Sequence, residues 1–380
     1  MKGTEPLAVA ENSADILRVA DSQGLRPGTS LLRGTAFYLS PFTFHLSAPL
    51  TFPLAPPPFP PQLCPFPPLM KILVTGGAGF IGSHLVDVLS ARGDTVVVID
   101  DFNDFYDPEI KYANLRETPA KIVAADICDQ HQINKVVQTE RPEAIVHLAA
   151  RAGVRPSVQH PELYLKTNIL GTFNLLEAAK SASVSKFVFA SSSSVYGATR
   201  ELPFREDQVL VQTLNPYASS KLAGEHLCSN YSYLYGLNVV CLRFFTVYGP
   251  RQRPDLSIHK FTRLIANGKP IEVYGDGTAR RDFTFIDDTI QGVLSAIEFA
   301  GSPFEIFNLG ENQTVELSQV IRLIEKALGR SAVIEYRPPA PGDMPQTYAD
   351  ISKAAKLLNY RPTTLIEKGI PRFVDWFQTL

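Results

Sequence analysis

The stretch KILVTGGAGFIGSHL, residues 71–85, limits the possible folds of this chain more than any other. Lys71 to Thr75 is a short β-branched run suited to a buried parallel strand, and Gly76, Gly79 and Gly82 follow at three-residue spacing. An apolar helical pattern comes next, closed by Gly93. Side chains at those glycines would hold the backbone amides and the positive end of the helix away from a diphosphate. The pattern therefore predicts strand, turn and helix with a dinucleotide across the turn. The next strand ends in Asp100, eighteen residues beyond Gly82, near the ~20-residue offset at which a carboxylate can bond the adenosine ribose diol. A 2′-phosphate would be repelled there. No arginine stands in TGGAGFIG or just after Asp101, so NAD is expected rather than NADP.

Further βα units reinforce this reading. KIVAADICD offers Asp126 near the adenine, AIVHLAARAG runs from an apolar strand into a small-residue loop, and KFVFASSSSVYG ends a strand in four serines. Such endings belong at the carboxyl edge of one parallel sheet, where ligands of open α/β folds bind. Phe80, Ile81, Ile127, Leu148, Ala149, Ala150 and Asn168 are expected among the dinucleotide contacts. His147 is expected to be a packed strand-end histidine rather than a catalytic one.

The chain has 380 residues, 45% of them apolar and 19% charged, enough for a large soluble core. A net charge of −2 makes no case for nucleic acid or an anionic membrane surface. Cys64, Cys128, Cys228 and Cys241 are scattered without a C-x-x-C pair, so neither a metal site nor a disulfide framework is expected, and a cytoplasmic enzyme fits. Residues 1–69 carry no sustained period, and ten prolines fall between Pro49 and Pro68. This segment reads as a disordered Pro-rich N-terminal extension, with the folded part beginning at Met70. Its apolar run TAFYLSPFTFHLSAPLTFPL is too rich in proline for a membrane-spanning helix. It also starts too late, and after too many acids, for a secretory signal.

NPYASSKLAGEHL places Tyr217 and Lys221 four apart, on one face of a helix that Asn215 or Pro216 can start. A free phenol has a pKa of ~10, and lowering it by ~3 units takes roughly 4 kcal/mol of preferential anion stabilisation. A neighbouring ammonium and a positive nicotinamide ring can supply it. The spacing alone is common on amphipathic surface helices; after a glycine-rich βα unit and a serine-tipped strand it marks a base.

From Met70 to Leu380 the sequence resembles the extended short-chain dehydrogenase/reductase family, specifically its NAD-dependent nucleotide-sugar epimerases and dehydratases. The likeness rests on TGGAGFIGSHL, HLAA, SSSSVYG, YASSK, RFFTVYGPRQRPD, RRDFTFIDD and YADISKAAKLLNYRPTT, in family order. It implies a Rossmann-like parallel sheet with helices on both faces and a smaller C-terminal α/β substrate domain. Residues 70–243 would form the NAD-binding domain, with a return near 283–300, and 244–380 would mainly hold a UDP-sugar. Ser192, Tyr217 and Lys221 are implied as the catalytic set. Dehydratases of the family carry an Asp-Glu pair and the decarboxylases a Glu after the catalytic hydroxyl; here Ser193 and Ser194, expected substrate contacts, leave simple return of the hydride.

Thr246 in RFFT resembles the UDP-glucuronate 4-epimerase branch, where UDP-galactose epimerases usually have Asn. Thr246 and Arg253 make a reasonable carboxylate clamp, a hydroxyl with a guanidinium fork. Arg281 resembles the residue that meets the UDP diphosphate, Arg280 being a surface neighbour. One departure is Ala340, where many relatives have Arg or Gln before PGD. The resemblance thus implies interconversion of UDP-glucuronate and UDP-galacturonate, with UDP-galactose epimerisation, UDP-glucuronate decarboxylation and a non-catalytic NAD-binding role as alternatives. Two apolar helices, near Glu162–Lys180 and Tyr217–Tyr235, resemble the pair that builds a four-helix homodimer interface; internal packing would explain them nearly as well.

Overall fold

The computed structural model describes residues 69–339 and 344–380, so the expectations for the N-terminal extension and for Ala340 lie outside the described residues. Seven strands form one sheet: β1 (Lys71–Thr75), β2 (Thr95–Asp100), β3 (Lys121–Ala124), β4 (Ala144–His147), β5 (Lys186–Ser192), β6 (Asn238–Phe244) and β7 (Phe304–Leu309). Their spatial order is β7-β6-β5-β4-β1-β2-β3, and every pairing is parallel. Parallel strands need crossovers, and the crossovers place helices on both faces, so the central strands are apolar throughout. Successive residues then enter opposite cores: Ile72 and Val74 join one buried cluster and Leu73 the other, as Val188 does against Phe187 and Phe189.

The strand order reverses at β1, whose neighbours are β2 on one side and β4 on the other. Chains leaving those two strands diverge to opposite sides, which opens a crevice over the carboxyl end of β1. Helix Phe80–Arg92 begins there and ends at Gly93, whose φ of 98° is left-handed. Helix Pro216–Tyr235 begins on Asn215, whose side-chain oxygen accepts from the Ala218 amide at 2.9 Å, and stops at Gly236 with φ 70°. The expected helix near Glu162–Lys180 is a helical run in three parts: Pro161–Tyr164, a π-helical segment Leu165–Leu170, and Gly171–Ser181.

Beyond β6 the chain builds smaller pieces. Strand Thr246–Tyr248 pairs with Phe283–Phe285, and Ile271–Tyr274 with Ile334–Arg337. Helices Leu317–Leu328 and Ile366–Phe377 pack against each other. Between these pieces, helix Ile286–Glu298 lies back against helix Phe80–Arg92 and strands β5 and β6, before the chain re-enters the sheet as β7.

Candidate active site

A single cleft runs over the carboxyl end of β1 and gathers most residues singled out from the sequence. Gly76, Gly79, Phe80, Ile81, Gly82, Asp100, Asp126, Ile127, Leu148, Ala149 and Ala150 line it, together with Ser192, Ser193, Ser194, Tyr217, Lys221, Thr246 and Arg253. At the glycine turn the need is for approach and not for flexibility alone. A Cβ on Gly82 would lie 2.2 Å from the Gly76 carbonyl oxygen, and one on Gly76, whose φ is 69°, would lie 2.7 Å from the Ala149 nitrogen. The bare backbone at this helix N-terminus fits a diphosphate.

At the end of β2, the two Asp100 oxygens accept from the Ala78 amide at 3.1 Å and the Phe102 amide at 3.0 Å. Lys111 Nζ lies 3.7 Å from Asp100 Oδ1 and 3.9 Å from Asp101. Burial raises the Asp100 carboxyl above the usual range, with Lys111 opposing it, and burial likewise lowers the Lys111 ammonium. Lys111 is a cleft residue that sequence reasoning missed. It comes from helix Pro108–Asn114, which Asp107 caps, and nothing in its local pattern says that the helix turns it back onto Asp100. Arg151 was also missed: it lines the cleft, and its guanidinium donates to Asn103 Oδ1 at 3.3 Å.

At the other end, Ser192 stands against the Tyr217 phenol, and its Oγ donates to Ser194 Oγ at 3.2 Å and accepts from the Ser194 amide at 3.1 Å. Lys221 Nζ donates to the Ala190 carbonyl at 2.7 Å and sits 5.1 Å from the centre of the Phe189 ring. Burial brings this ammonium down to about 8, against the fields of Cys228 and Glu225. Burial raises the Tyr217 phenol, and Ser192 and the Arg253 charge offset this only in part; the expected lowering counts on a nicotinamide ring as well as on Lys221.

Arg253 is committed on one side already. Its Nε and Nη2 donate to the Asp255 carboxylate at 2.9 and 2.7 Å, and its guanidinium lies 5.3 Å from the Phe105 ring centre. Nη1 has no hydrogen bond among the described residues. His147 is a neutral packing residue: its ring nitrogens meet Thr75 Oγ1 at 2.8 Å and Thr172 Oγ1 at 2.9 Å, and burial, aided by the Lys221 charge, takes it down to about 3.

Two expected contacts stand outside the cleft wall. Asn168, in the π-helical segment, spends its amide on the backbone of Arg151 and on Ser220 Oγ. Ser220 in turn donates to the Tyr217 carbonyl, so Asn168 braces the loop after β4 against the Tyr217 helix. Arg281 lies in a short strand and donates to the carbonyls of Arg280 and Pro345. Arg280, the expected surface neighbour, pairs with Glu316 at 2.8 Å and bonds Thr314. No helix among the described residues is long and apolar enough to cross a membrane.

Residues 72–310 match the model of the NAD dependent epimerase/dehydratase family. A UDP-glucuronate 4-epimerase from Thermodesulfobacterium geofontis is 43% identical over 309 residues, covering 80% of this chain and 95% of the relative. The UDP-glucuronic acid 4-epimerase of Bacillus cereus, solved with UDP-glucuronic acid and NAD, superimposes with a TM-score of 0.77 at 39% identity, covering 82% of this chain and 99% of that one. A UDP-glucose 4-epimerase of Thermotoga maritima, solved with UDP-glucose, gives a TM-score of 0.77 at 33% identity over the same share of each chain.

Proposed function

Because the chain belongs to the NAD dependent epimerase/dehydratase family, we propose that it is an NAD-dependent UDP-glucuronate 4-epimerase, interconverting UDP-glucuronate and UDP-galacturonate through a transient 4-keto sugar. NAD, when bound, supplies the acceptor for the C4 hydride and the donor that returns it. The glycine turn and Asp100 would hold the dinucleotide. Tyr217, as phenolate, takes the proton from O4 while Ser192 holds that oxygen, and Lys221 provides positive charge to the phenolate. After the sugar has turned to present its other face, the hydride rejoins C4 and Tyr217 gives a proton back to O4, so no net redox change results. Ser193 and Ser194 place no acid in the loop, which leaves neither elimination nor decarboxylation an assisted route.

The observation that carries the hexuronate reading is the closeness of Arg253 to the base: both line one cleft with Thr246, and the Arg253 charge acts on the Tyr217 phenol. A carboxylate on C5 lies beside C4, so its partner has to stand near the base. Held there in ionised form, with its bond to C5 turned away from the ketone π system, the carboxylate of the 4-keto sugar is kept from leaving as CO2.

Incubating the purified protein with UDP-glucuronate and resolving products by NMR tests this. UDP-galacturonate should accumulate to an equilibrium mixture. A UDP-pentose with evolved CO2 would make it a decarboxylase instead. The Asp255 carboxylate already on Arg253 favours a second reading, in which a neutral hydroxymethyl sugar is the better guest. Turnover of UDP-glucose without turnover of UDP-glucuronate would select it.

The reading extends to a substrate-binding lobe drawn mainly from 244–380, with Arg281 turned to the UDP diphosphate once ligand is bound, and to a cytoplasmic homodimer. Leu163, Leu165, Leu170 and Phe173 are exposed along one helical run and Tyr233 and Leu234 near the end of another, which supports a self-association face. Sedimentation equilibrium giving a monomer mass at micromolar concentration would remove the dimer.

A further inference from the structure

Behind the cleft, the end of β5 is fastened to helix Pro216–Tyr235 at three consecutive residues. Ser192 stands against the Tyr217 phenol, the Ala190 carbonyl accepts from Lys221 Nζ at 2.7 Å, and Ser191 Oγ donates to Glu225 Oε1 at 2.5 Å. The three helix residues are spaced by four and so lie on one face. The third fastening is the least expected, because it uses an ion pair with no solvent: Arg243 donates through Nε at 2.9 Å and through Nη2 at 2.8 Å to the two Glu225 oxygens, and both side chains are 3% exposed.

Arg243 stands on β6 directly beside Ser191 in the sheet register. The Tyr196 ring covers its guanidinium at 4.8 Å, and Tyr196 donates to Asn308 Oδ1 at 2.7 Å, which ties the network to β7. Apolar side chains of the same volume would fill such a place at no loss of stability. Position and charge are what the pair adds.

We infer that the Glu225–Arg243 ion pair is a positioning element of the hydride-transfer site: through Ser191 it seats Ser192 against Tyr217, and it sets a carboxylate one helical turn from the Lys221 ammonium. The inference rests on the reading of Tyr217 as the base. The groups around this site make Glu225 the side chain suited to the second task. His147 acts on Lys221 from β4 and is neutral; Cys228 lies on the same helix, a free thiol beside the free thiol of buried Cys241 on β6; Tyr164 and Arg253 act on Tyr217. Burial drives the Lys221 proton off, and Cys228 and then the Glu225 carboxylate act against it.

The test is Glu225→Gln, which keeps the shape and an acceptor for Ser191 but loses the charge. Withdrawing a nearby negative charge makes the proton of Lys221, and that of the phenol beside it, easier to lose. The kcat–pH profile for UDP-glucuronate should therefore move to lower pH by about one unit or more, given that a charge within reach moves a titration by roughly one to three units. Bound NAD per protomer should stay at the wild-type level. Should the single variant fold poorly, with Arg243 left as a bare buried cation, Glu225→Gln/Arg243→Met carries the same readout and the same expected direction. A profile that stays in place in a folded variant, whether or not the rate falls, overturns the inference. Tyr217→Phe run alongside separates the two claims: if it is inactive and the Glu225→Gln profile does not move, the inference alone falls; if it turns over at the wild-type rate, the base assignment falls and the inference with it.

Discussion

Replacing Arg253 by alanine should separate charged from neutral sugars. In the structure its Nε and Nη2 are held by Asp255, and the residue lines the cleft. A substrate carboxylate can then gain one or two charge-assisted hydrogen bonds, at about 1.5–3 kcal/mol each. Taking about 3 kcal/mol, and about 1.4 kcal/mol per factor of ten, Arg253→Ala should lower affinity for UDP-glucuronate roughly a hundredfold. One further effect acts in the same direction: Asp255 loses its partner and faces the substrate carboxylate as a like charge. The Tyr217 phenol also loses a cation that lowers it, which slows turnover of either sugar without weakening binding. UDP-glucose has no carboxylate, so calorimetry should find its affinity changed by no more than a few-fold. Arg253→Ala/Asp255→Ala should recover part of the loss for UDP-glucuronate. Equal losses for the two ligands, or none for either, would refute the clamp. Turnover by the single variant should also leak to a UDP-pentose, because the β-keto acid is no longer held out of alignment.

Other perturbations reach other parts of the molecule. Gly82→Ala places a methyl 2.2 Å from the Gly76 carbonyl, so the helix start must shift; the NAD released per protomer on denaturation should fall below the wild-type amount. Lys221 titrates near 8 in the folded chain, below its ordinary 10.5, so the folded state binds fewer protons there than the unfolded state and stability rises with pH across that window. The stability of Lys221→Met relative to wild type, read from urea midpoints, should therefore decline between about pH 8 and 10.5, by about 3 kcal/mol at most. Burial raises Asp282 to about 7 and Glu311 to about 8. For such raised acids stability is lost as pH climbs through the folded value, so Glu311→Gln should be more stable than wild type at pH 9, with that advantage shrinking by pH 5.

What the sequence disclosed and what it hid follow from range. The glycine turn, the Asn215 cap with Pro216, and the strand ending in Asp100 depend on residues close together in the chain, where spacing and backbone stereochemistry decide. Cleft residues on successive strand ends were legible for the same reason, since parallel strands all point their carboxyl ends one way. Lys111 was hidden because only the path of a loop brings it to Asp100. The bracing of Asn168 was equally hidden, because the neighbours that take up its amide, Arg151 and Ser220, lie on other elements. The lowering expected for the Tyr217 phenol rested on two cations, the Lys221 ammonium and a nicotinamide ring; the burial that opposes it depends on the packed fold and had no local signal. The Glu225–Arg243 pair had no signal either: on a helix and a strand taken separately, each residue looks like an ordinary surface charge.

The central claim is that hydrogen leaves C4 and comes back to C4 within one active site. UDP-glucuronate carrying deuterium at C4, converted in ordinary water and followed by NMR and mass spectrometry, measures this directly. The account predicts UDP-galacturonate with the deuterium still on C4; product that has lost the label to solvent, or carries it on another carbon, would contradict it.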